Sequence, residues 1–337
     1  MTHGPCADVQ PDGACEVPGI RCPFADRSVA IEWKDQSPAS NAKRGDTHES
    51  SEGGSSVASR DGRDDRTDAA QTLLKKPQLI IAELPEPGDS AAALKRSAVR
   101  LGSLVDGALF GDANWSRVRF PPSYRAALAL EGGCNPWPGL NCRDRNRVAL
   151  EGELMALRDL GVVGVHCVTG NHPYSGHRPD AKAVFDLDGT DLIAMASALE
   201  FAVSTGESPP SVPVDIRPGR AAQKYRAGAD ICIVDQVDGA EGLLAFVSRI
   251  PAHAEGLRVL ASVAVLGSEE DRLRIAAYPN AVLPPPSAIG VAAAVKRAGA
   301  LLAVPGISGV LLGSTGGIDD ADRSAALLAE VAFELRH

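Results

Sequence analysis

The chain has 337 residues, of which 44% are hydrophobic and 23% charged, enough for one large domain or two ordinary ones. The net charge of −9 argues against nucleic acid as the main partner, because a phosphate-binding face needs clustered Lys and Arg. No apolar run reaches transmembrane length, and the N-terminus lacks the basic and apolar regions of a secretory signal. We therefore expect a cytoplasmic protein with no membrane contact and with reduced cysteines.

The first segment, residues 1–33, contains a cysteine cluster in "HGPCADVQPDGACEVPGIRCPF". In a reducing compartment, Cys6, Cys15 and Cys22 favour a metal site over a disulfide framework. With His3 as a fourth ligand, they suit tetrahedral Zn²⁺, whereas an iron–sulfur cluster normally needs a fourth cysteine. An unligated segment is the alternative. The segment is too small to fold on its own core, so a metal would supply its stability.

The second segment, residues 34–75, is predicted to be a flexible linker. Most of it is rich in Ser, Gly, Asp and Arg and offers almost nothing to bury. A structured loop of this length is the alternative, and such loops are uncommon.

The third segment, residues 76–337, alternates short aliphatic runs with stretches of helical spacing. The predicted strands are 78–84, 107–112, 137–144, 163–171, 211–216, 229–236, 258–266 and 308–316. The predicted helices are 90–105, 122–132, 146–161, 189–205, 219–228, 239–250, 268–278, 287–303 and 320–336. Eight strand–helix pairs indicate an α/β fold, the (β/α)8 TIM barrel. A doubly wound open sheet competes less well, because no G-x-G-x-x-G follows the first strand.

Chemistry in such a barrel lies at the carboxyl ends of the strands. Polar residues at those predicted ends indicate a ligand pocket there. They are Glu83, Asp112, Asn141, Arg143, Asp144, Thr169, Asn171, Asp215, Asp235, Gln236, Ser314 and Thr315.

Four motifs follow one another in order: "IAELPEP", "NCRDRNRVAL", "VTGNHP" and "GHRPDAKAVFDLD". In these motifs the chain resembles the methylenetetrahydrofolate reductase family, which has a (β/α)8 barrel holding FAD. The resemblance covers roughly 78–336, and its most specific runs are 142–147 and 180–188. The cysteine segment resembles a small module found with some members of that family, as an extension or a partner subunit.

The resemblance implies roles for individual residues. Glu83 stands where the family has the glutamate that protonates the folate, which requires a carboxylic acid that is protonated near neutral pH. Asp235, with Gln236 beside it, stands where the family has a glutamine for the folate pterin. The residues implied for FAD binding are Asp112, Asn141, Thr169, Gly170, Asn171, Asp188 and Lys224.

The sequence also departs from the family pattern. Asn171 replaces an aspartate beside the flavin, which would make a bound flavin more oxidising or mark the loss of the usual reaction. The seventh strand, "SVAVLGS", also differs, which affects the folate and nicotinamide surface.

Three functional hypotheses follow. The first is a flavin-linked oxidoreductase that interconverts 5,10-methylene- and 5-methyltetrahydrofolate with NAD(P)H. The alternative is a flavin-free folate-binding or methyl-transfer component, related to the reductases but without their activity. A regulatory binding protein is the third. The choice between NADH and NADPH stays open, as does that between a homo-oligomer and a complex with a one-carbon partner protein.

Overall fold

Eight parallel strands close into a barrel in the computed structural model, with β1 paired to both β2 and β8. The structure describes residues 14, 19–22, 24, 61–85, 90–111, 118–235, 237–276, 283–314 and 320–337, with the backbone alone for 61–67 and 175. The strands are β1 Leu79–Glu83, β2 Gly107–Phe110, β3 Pro136–Asn141, β4 Gly164–Val168, β5 Ala202–Glu207, β6 Ile231–Val234, β7 Arg258–Val265 and β8 Ile307–Ser314. The predicted (β/α)8 fold class is confirmed.

Helices follow the strands and form the outer layer of the barrel, and one further helix precedes β1. They are α1 Asp61–Leu74, α2 Ala91–Leu101, α3 Pro122–Glu131, α4 Arg147–Asp159, α5 Gly189–Ala198, α6 Arg217–Arg226, α7 Gly239–Val247, α8 Glu269–Ile275, α9 Val291–Leu302 and α10 Ala321–Glu334. Side chains accept hydrogen bonds from the first turn of several helices, including Ser90 before α2, Asn146 before α4 and Ser268 before α8. These caps satisfy backbone N–H groups that have no partner inside the helix.

Alternate residues of each strand face the inside of the barrel. Leu79, Trp137 and Ile233 belong to the inner apolar cluster, while the intervening residues pack against the helices in a larger outer cluster. The same alternation directs Glu83 and Asn141 inward at the carboxyl ends of their strands. We call the inward-facing space at this end the mouth.

The fifth strand lies elsewhere than predicted. Residues 202–207 form β5, although the sequence pattern assigned them largely to a helix over 189–205. Residues 211–216, predicted as the strand, form a loop that ends in a short 3-10 helix, Val214–Ile216. Pro213 in this loop cannot donate to a sheet ladder, which disfavours a central strand there.

Helix α1 begins at residue 61, within the segment 34–75 for which the sequence predicts a linker. Ala70 and Leu73 are buried against the inner cluster at the amino-terminal end of the barrel. Arg258, the first residue of β7, donates a hydrogen bond to the carbonyl of Leu74. A single helical face with so few apolar residues gives little signal in a polar stretch, although it is enough to dock the helix.

The described part of the cysteine segment contacts the barrel near the mouth. Cys22 and Phe24 are buried and pack against Phe185 in the loop between β4 and α5. The rings of Phe24 and Phe185 meet edge to face, 5.6 Å apart. His3, Cys6 and Cys15 lie outside the described residues. Within the described residues, no helix combines the length and apolar character needed to cross a membrane.

Candidate functional site

Glu83, the last residue of β1, is the most perturbed acid of the mouth. Its Oε2 accepts a hydrogen bond from the backbone N–H of Ser314, 3.0 Å away on β8. Burial raises the pKa of Glu83 to about 7; the neighbouring Asp235 charge also raises it, while the Ser314 bond and Arg119 act in the opposite direction. A carboxyl with such a pKa can give up or take a proton near neutral pH.

Asp235 follows β6 directly, and alternation with Ile231 and Ile233 of the inner cluster places it, like Glu83 on β1, on the mouth side. Its backbone N–H donates to the carbonyl of Glu207 at 2.9 Å, and its side chain is exposed. The mouth therefore combines an acid that exchanges its proton near neutral pH with a second carboxyl group that can accept hydrogen bonds.

Asn141, the last residue of β3, carries a buried polar atom. Its Oδ1 accepts a hydrogen bond from the backbone N–H of Asp144 at 3.1 Å. In the described part of the chain, no group accepts from its buried Nδ2. A buried donor left unpaired costs free energy, which a ligand acceptor in the mouth would recover.

Two of the residues predicted to bind the cofactor build the start of α5. Thr169 Oγ1 accepts from the backbone N–H of Gly189 at 3.0 Å. Asp188 Oδ1 accepts from the backbone N–H groups of Thr190 and Asp191, at 2.6 and 3.0 Å, and completes a capping box. These contacts give both residues a structural task.

Lys224, predicted to contact the FAD phosphates, is bound within the protein. Its ammonium lies 2.6 Å from both the Gly206 carbonyl and Glu207 Oε1. The Glu207 carboxylate is almost fully buried, with Arg217 at 3.7 Å and Arg220 at 3.9 Å. Alternation directs Glu207 toward the helices, because Ser204 on the same strand faces inward. This cluster anchors α6 to β5, and the phosphate contact stays a prediction.

Sequence reasoning missed both Glu207 and His166. Glu207 was hidden because β5 was assigned to the wrong residues. His166 lies in the middle of β4, inside the aliphatic run "VGVHCV", where a single histidine gives no signal of its own. Its Nδ1 lies 2.9 Å from Ser204 Oγ, which also accepts from Trp137 Nε1 at 2.8 Å.

Of the remaining predicted residues, some lie near the mouth, one lies away from it, and others are outside the described residues. Gly170 has a left-handed backbone with φ +85°, and a Cβ there would lie 3.2 Å from Asn141 Cβ. Asn171 follows it, partly exposed. Asp215 is exposed and pairs with Arg249, so it does not contribute to the mouth. Asp112 and Gln236 lie outside the described residues. Within the residues described, no group of three or more His, Cys, Asp or Glu side chains could hold a metal.

The fold and the mouth define a (β/α)8 barrel with an acidic, hydrogen-bonding site at the carboxyl ends of its strands. No protein-family model matches the chain, and no curated protein sequence matches it either. The resemblance to the methylenetetrahydrofolate reductase family therefore stays a prediction.

Several solved structures share the barrel. One is a Clostridium thermocellum protein that binds two copies of 5-methyl-5,6,7,8-tetrahydrofolic acid; it is 11% identical with a TM-score of 0.56, over 78% of this chain and 99% of that chain. A putative lyase/mutase from Burkholderia cenocepacia is 15% identical with a TM-score of 0.49, over 82% and 90%. Mycobacterium tuberculosis tryptophan synthase is 13% identical with a TM-score of 0.48, over 83% and 100%. At these identities the similarity shows the fold alone.

Proposed function

We propose that the protein binds a tetrahydrofolate derivative in the mouth and acts as a flavin-free folate-binding or methyl-transfer component of one-carbon metabolism. The observation that carries this proposal is the set of polar groups at the mouth: the Glu83 carboxyl held by Ser314, Asp235 at the end of β6, and the buried Asn141 Nδ2 that no described group accepts from. The shared fold of the Clostridium thermocellum protein, which binds a methylated tetrahydrofolate, is consistent with it.

The two carboxyls suit a pterin in different ways. A pterin carries an amino group and a ring N–H on one edge, and the Asp235 carboxylate can accept hydrogen bonds from both. Asn141 Nδ2 can donate to a carbonyl oxygen or ring nitrogen of the same ligand. Glu83 supplies a proton: when a methyl group leaves N5 for a nucleophile, the electron pair stays on N5, and protonation there improves the leaving group.

The second candidate function is the flavin-linked reductase, and the position of Glu83 favours it as well. Asn141 Nδ2 would be one of the groups that hold FAD, and the flavin would supply hydride transfer between NAD(P)H and the folate. Thr169 and Lys224 fit FAD less well, because each is hydrogen-bonded within the chain. Because these side chains already bind groups of the protein, we place the flavin-free hypothesis before the reductase.

Calorimetric titration with 5-methyltetrahydrofolate tests the proposal on the purified full chain. We expect binding to the wild-type protein and at least about tenfold weaker binding to Asp235→Asn, the scale of a charged hydrogen bond. The control is Asp215→Asn, because Asp215 is an exposed carboxylate paired with Arg249. Unchanged affinity in Asp235→Asn, or no binding to the wild type, would contradict the proposal.

The visible spectrum of the same sample separates the two candidates. A colourless protein that binds folate supports the flavin-free reading, whereas flavin absorbance released on denaturation supports the reductase. In either case we expect Glu83→Gln to retain folate binding and to slow turnover by about 10²-fold, as for a lost general acid.

A further inference from the structure

His166 is placed to contact whatever ligand enters the mouth. By strand alternation its side chain faces the inside of the barrel, one layer above the Trp137 ring. It is partly exposed, although the strand residues on either side of it are buried. The inward direction of the side chain places it on the wall of the barrel interior below the mouth.

Small residues leave room around His166. Gly206 is its inward-facing neighbour on β5, and a Cβ there would only come into ordinary contact with Cε1 and Nε2, at 3.9 Å. The three atoms nearest to a Cβ on Gly313 would all belong to the Glu83 carboxyl, at 3.5 Å or more. Among the described residues, Gly206 and Gly313 thus place no side chain next to His166 and Glu83, and the Trp137 ring lies below them.

The hydrogen bonds of Ser204 fix the proton on the His166 ring. Trp137 Nε1 can only donate, so Ser204 Oγ accepts from it. The Val165 carbonyl can only accept, so the single Ser204 hydroxyl proton goes there, across 3.3 Å. The remaining contact, at 2.9 Å, is a hydrogen bond only if His166 Nδ1 carries a proton and donates to Ser204. In this one assignment that satisfies all three contacts, Nε2 is a bare acceptor.

Two further observations support an acceptor at Nε2. Burial, with Lys224 nearby, lowers the pKa of His166 to about 4, so the ring is neutral near neutral pH. Among the described residues, no donor hydrogen-bonds Nε2. A ligand that fills the mouth must therefore offer this nitrogen a donor or leave it unpaired.

We propose that His166 Nε2 recognises the reduced state of the pterin by accepting a hydrogen bond from a ring N–H. This inference rests on the proposed function. Tetrahydropterins, including the N5-methylated form, carry a proton on N8, whereas fully oxidised folic acid has a bare acceptor at N8. Two facing lone pairs repel, so the same histidine that binds the reduced ring disfavours the oxidised one.

The tautomer is tested first, without any ligand. Long-range ¹H–¹⁵N correlation spectra of the wild-type protein, with His166→Gln used to assign the signals, should show protonated Nδ1 and unprotonated Nε2. Protonation at Nε2 would overturn the inference, whether or not the protein binds folate.

The ligand step is tested by the ratio of affinities for 5-methyltetrahydrofolate and folic acid. We expect the wild type to prefer the reduced form, and His166→Leu to lower that preference by about tenfold, the scale of one hydrogen bond. His166→Gln, which keeps an acceptor, should restore part of the preference. His253→Leu, which changes an exposed histidine beyond α7, serves as the control.

The outcomes separate the two proposals. If the wild type binds the reduced folate but His166→Leu keeps the full preference, the role of His166 is wrong and the proposed function stands. If the wild type binds neither folate, the proposed function fails and the pterin contact fails with it, while the tautomer result is read from the spectra alone.

Discussion

Gly164 and Trp137 approach each other so closely that no side chain fits between them. A Cβ on Gly164 would lie 2.5 Å from two atoms of the indole ring, and a Cβ on Gly107 would lie 2.8 Å from another. Trp137 is therefore held between two glycines on opposite sides, and it forms the floor beneath His166. The depth of the mouth depends on these two residues having no side chain.

We expect Gly164→Ala to destabilise the protein by about 1–3 kcal/mol, because overpacking forces Trp137 or the backbone to move. Gly152→Ala is the matched control: Gly152 lies within α4, with nothing within 4 Å of an added Cβ. That change should stabilise the protein by about 0.5–1 kcal/mol through helix propensity. Urea denaturation measures both, and equal effects of the two variants would contradict the assigned packing.

Leu73→Ala tests whether α1 belongs to the barrel. Leu73 packs against the inner cluster, so its truncation should cost about 2 kcal/mol or more. Val99→Ala removes a similar apolar side chain from a position on α2 that is 66% exposed, and should cost less than about 0.5 kcal/mol. If the Leu73 variant is as stable as the Val99 variant, α1 does not contribute to the barrel, and the linker prediction holds for residues 61–74.

Lys224→Met separates an anchoring lysine from one that contacts a cofactor. Because the ammonium compensates the buried Glu207 carboxylate, the change should lower the free energy of unfolding by about 1–3 kcal/mol. Lys182→Met, at an exposed position, should have almost no effect. Loss of bound flavin from Lys224→Met at unchanged stability would instead support the phosphate contact.

The acid in the mouth should make stability depend on pH. The pKa of Glu83 is raised from 4.5 to about 7 on folding, so the folded protein holds this proton more tightly than the unfolded chain does. Stability should therefore fall by about 3 kcal/mol as pH rises between these two values, and then level off. Glu83→Gln should lack this fall, in denaturation experiments at about pH 5 and about pH 8. An identical pH dependence in both proteins would show that Glu83 has an ordinary pKa.

Zinc binding by the cysteine segment stays a prediction, with Cys22 as its one described ligand. We expect about one Zn²⁺ per chain, bound by Cys6, Cys15 and Cys22, with His3 as the fourth ligand. Metal analysis of the triple Cys→Ser variant should show loss of the zinc. Single replacement of Cys134, which is buried beside α3, should retain it and serves as the control. Equal zinc in all samples would dismiss the site.

Local patterns predicted most of the barrel, because its strands are short aliphatic runs separated by polar or glycine-containing turns. The exception at β5 has a specific cause. Helix α5 ends at Ala198 with Leu199 as its C-cap, and the next residue, Glu200, adopts a left-handed backbone with φ 64°, where a glycine would be usual. With no glycine to mark the end, the helical spacing continues into β5.

The same reasoning explains which parts of the site the sequence could reveal. Glu83 could be found, because a carboxylate directly after an aliphatic strand lies at the mouth of any such barrel. The ion pair between Lys224 and Glu207 could not be predicted, because Glu207 lies on β5 and the sequence pattern assigned that strand to other residues. The proposed acceptor, His166 Nε2, depends on the Ser204 hydroxyl of β5 and the Trp137 indole of β3. No spacing along the chain indicates that these three residues meet.

The contact between Glu83 and Ser314 joins residues 231 positions apart in the chain. During synthesis, β1 leaves the ribosome long before β8 exists. Until β8 is in place, Glu83 Oε2 has no Ser314 N–H to accept from, and β1 lacks one of its two neighbouring strands. A chain that ends before β8 would therefore keep Glu83 but lose the contact that holds its carboxyl, together with Gly313 and Ser314.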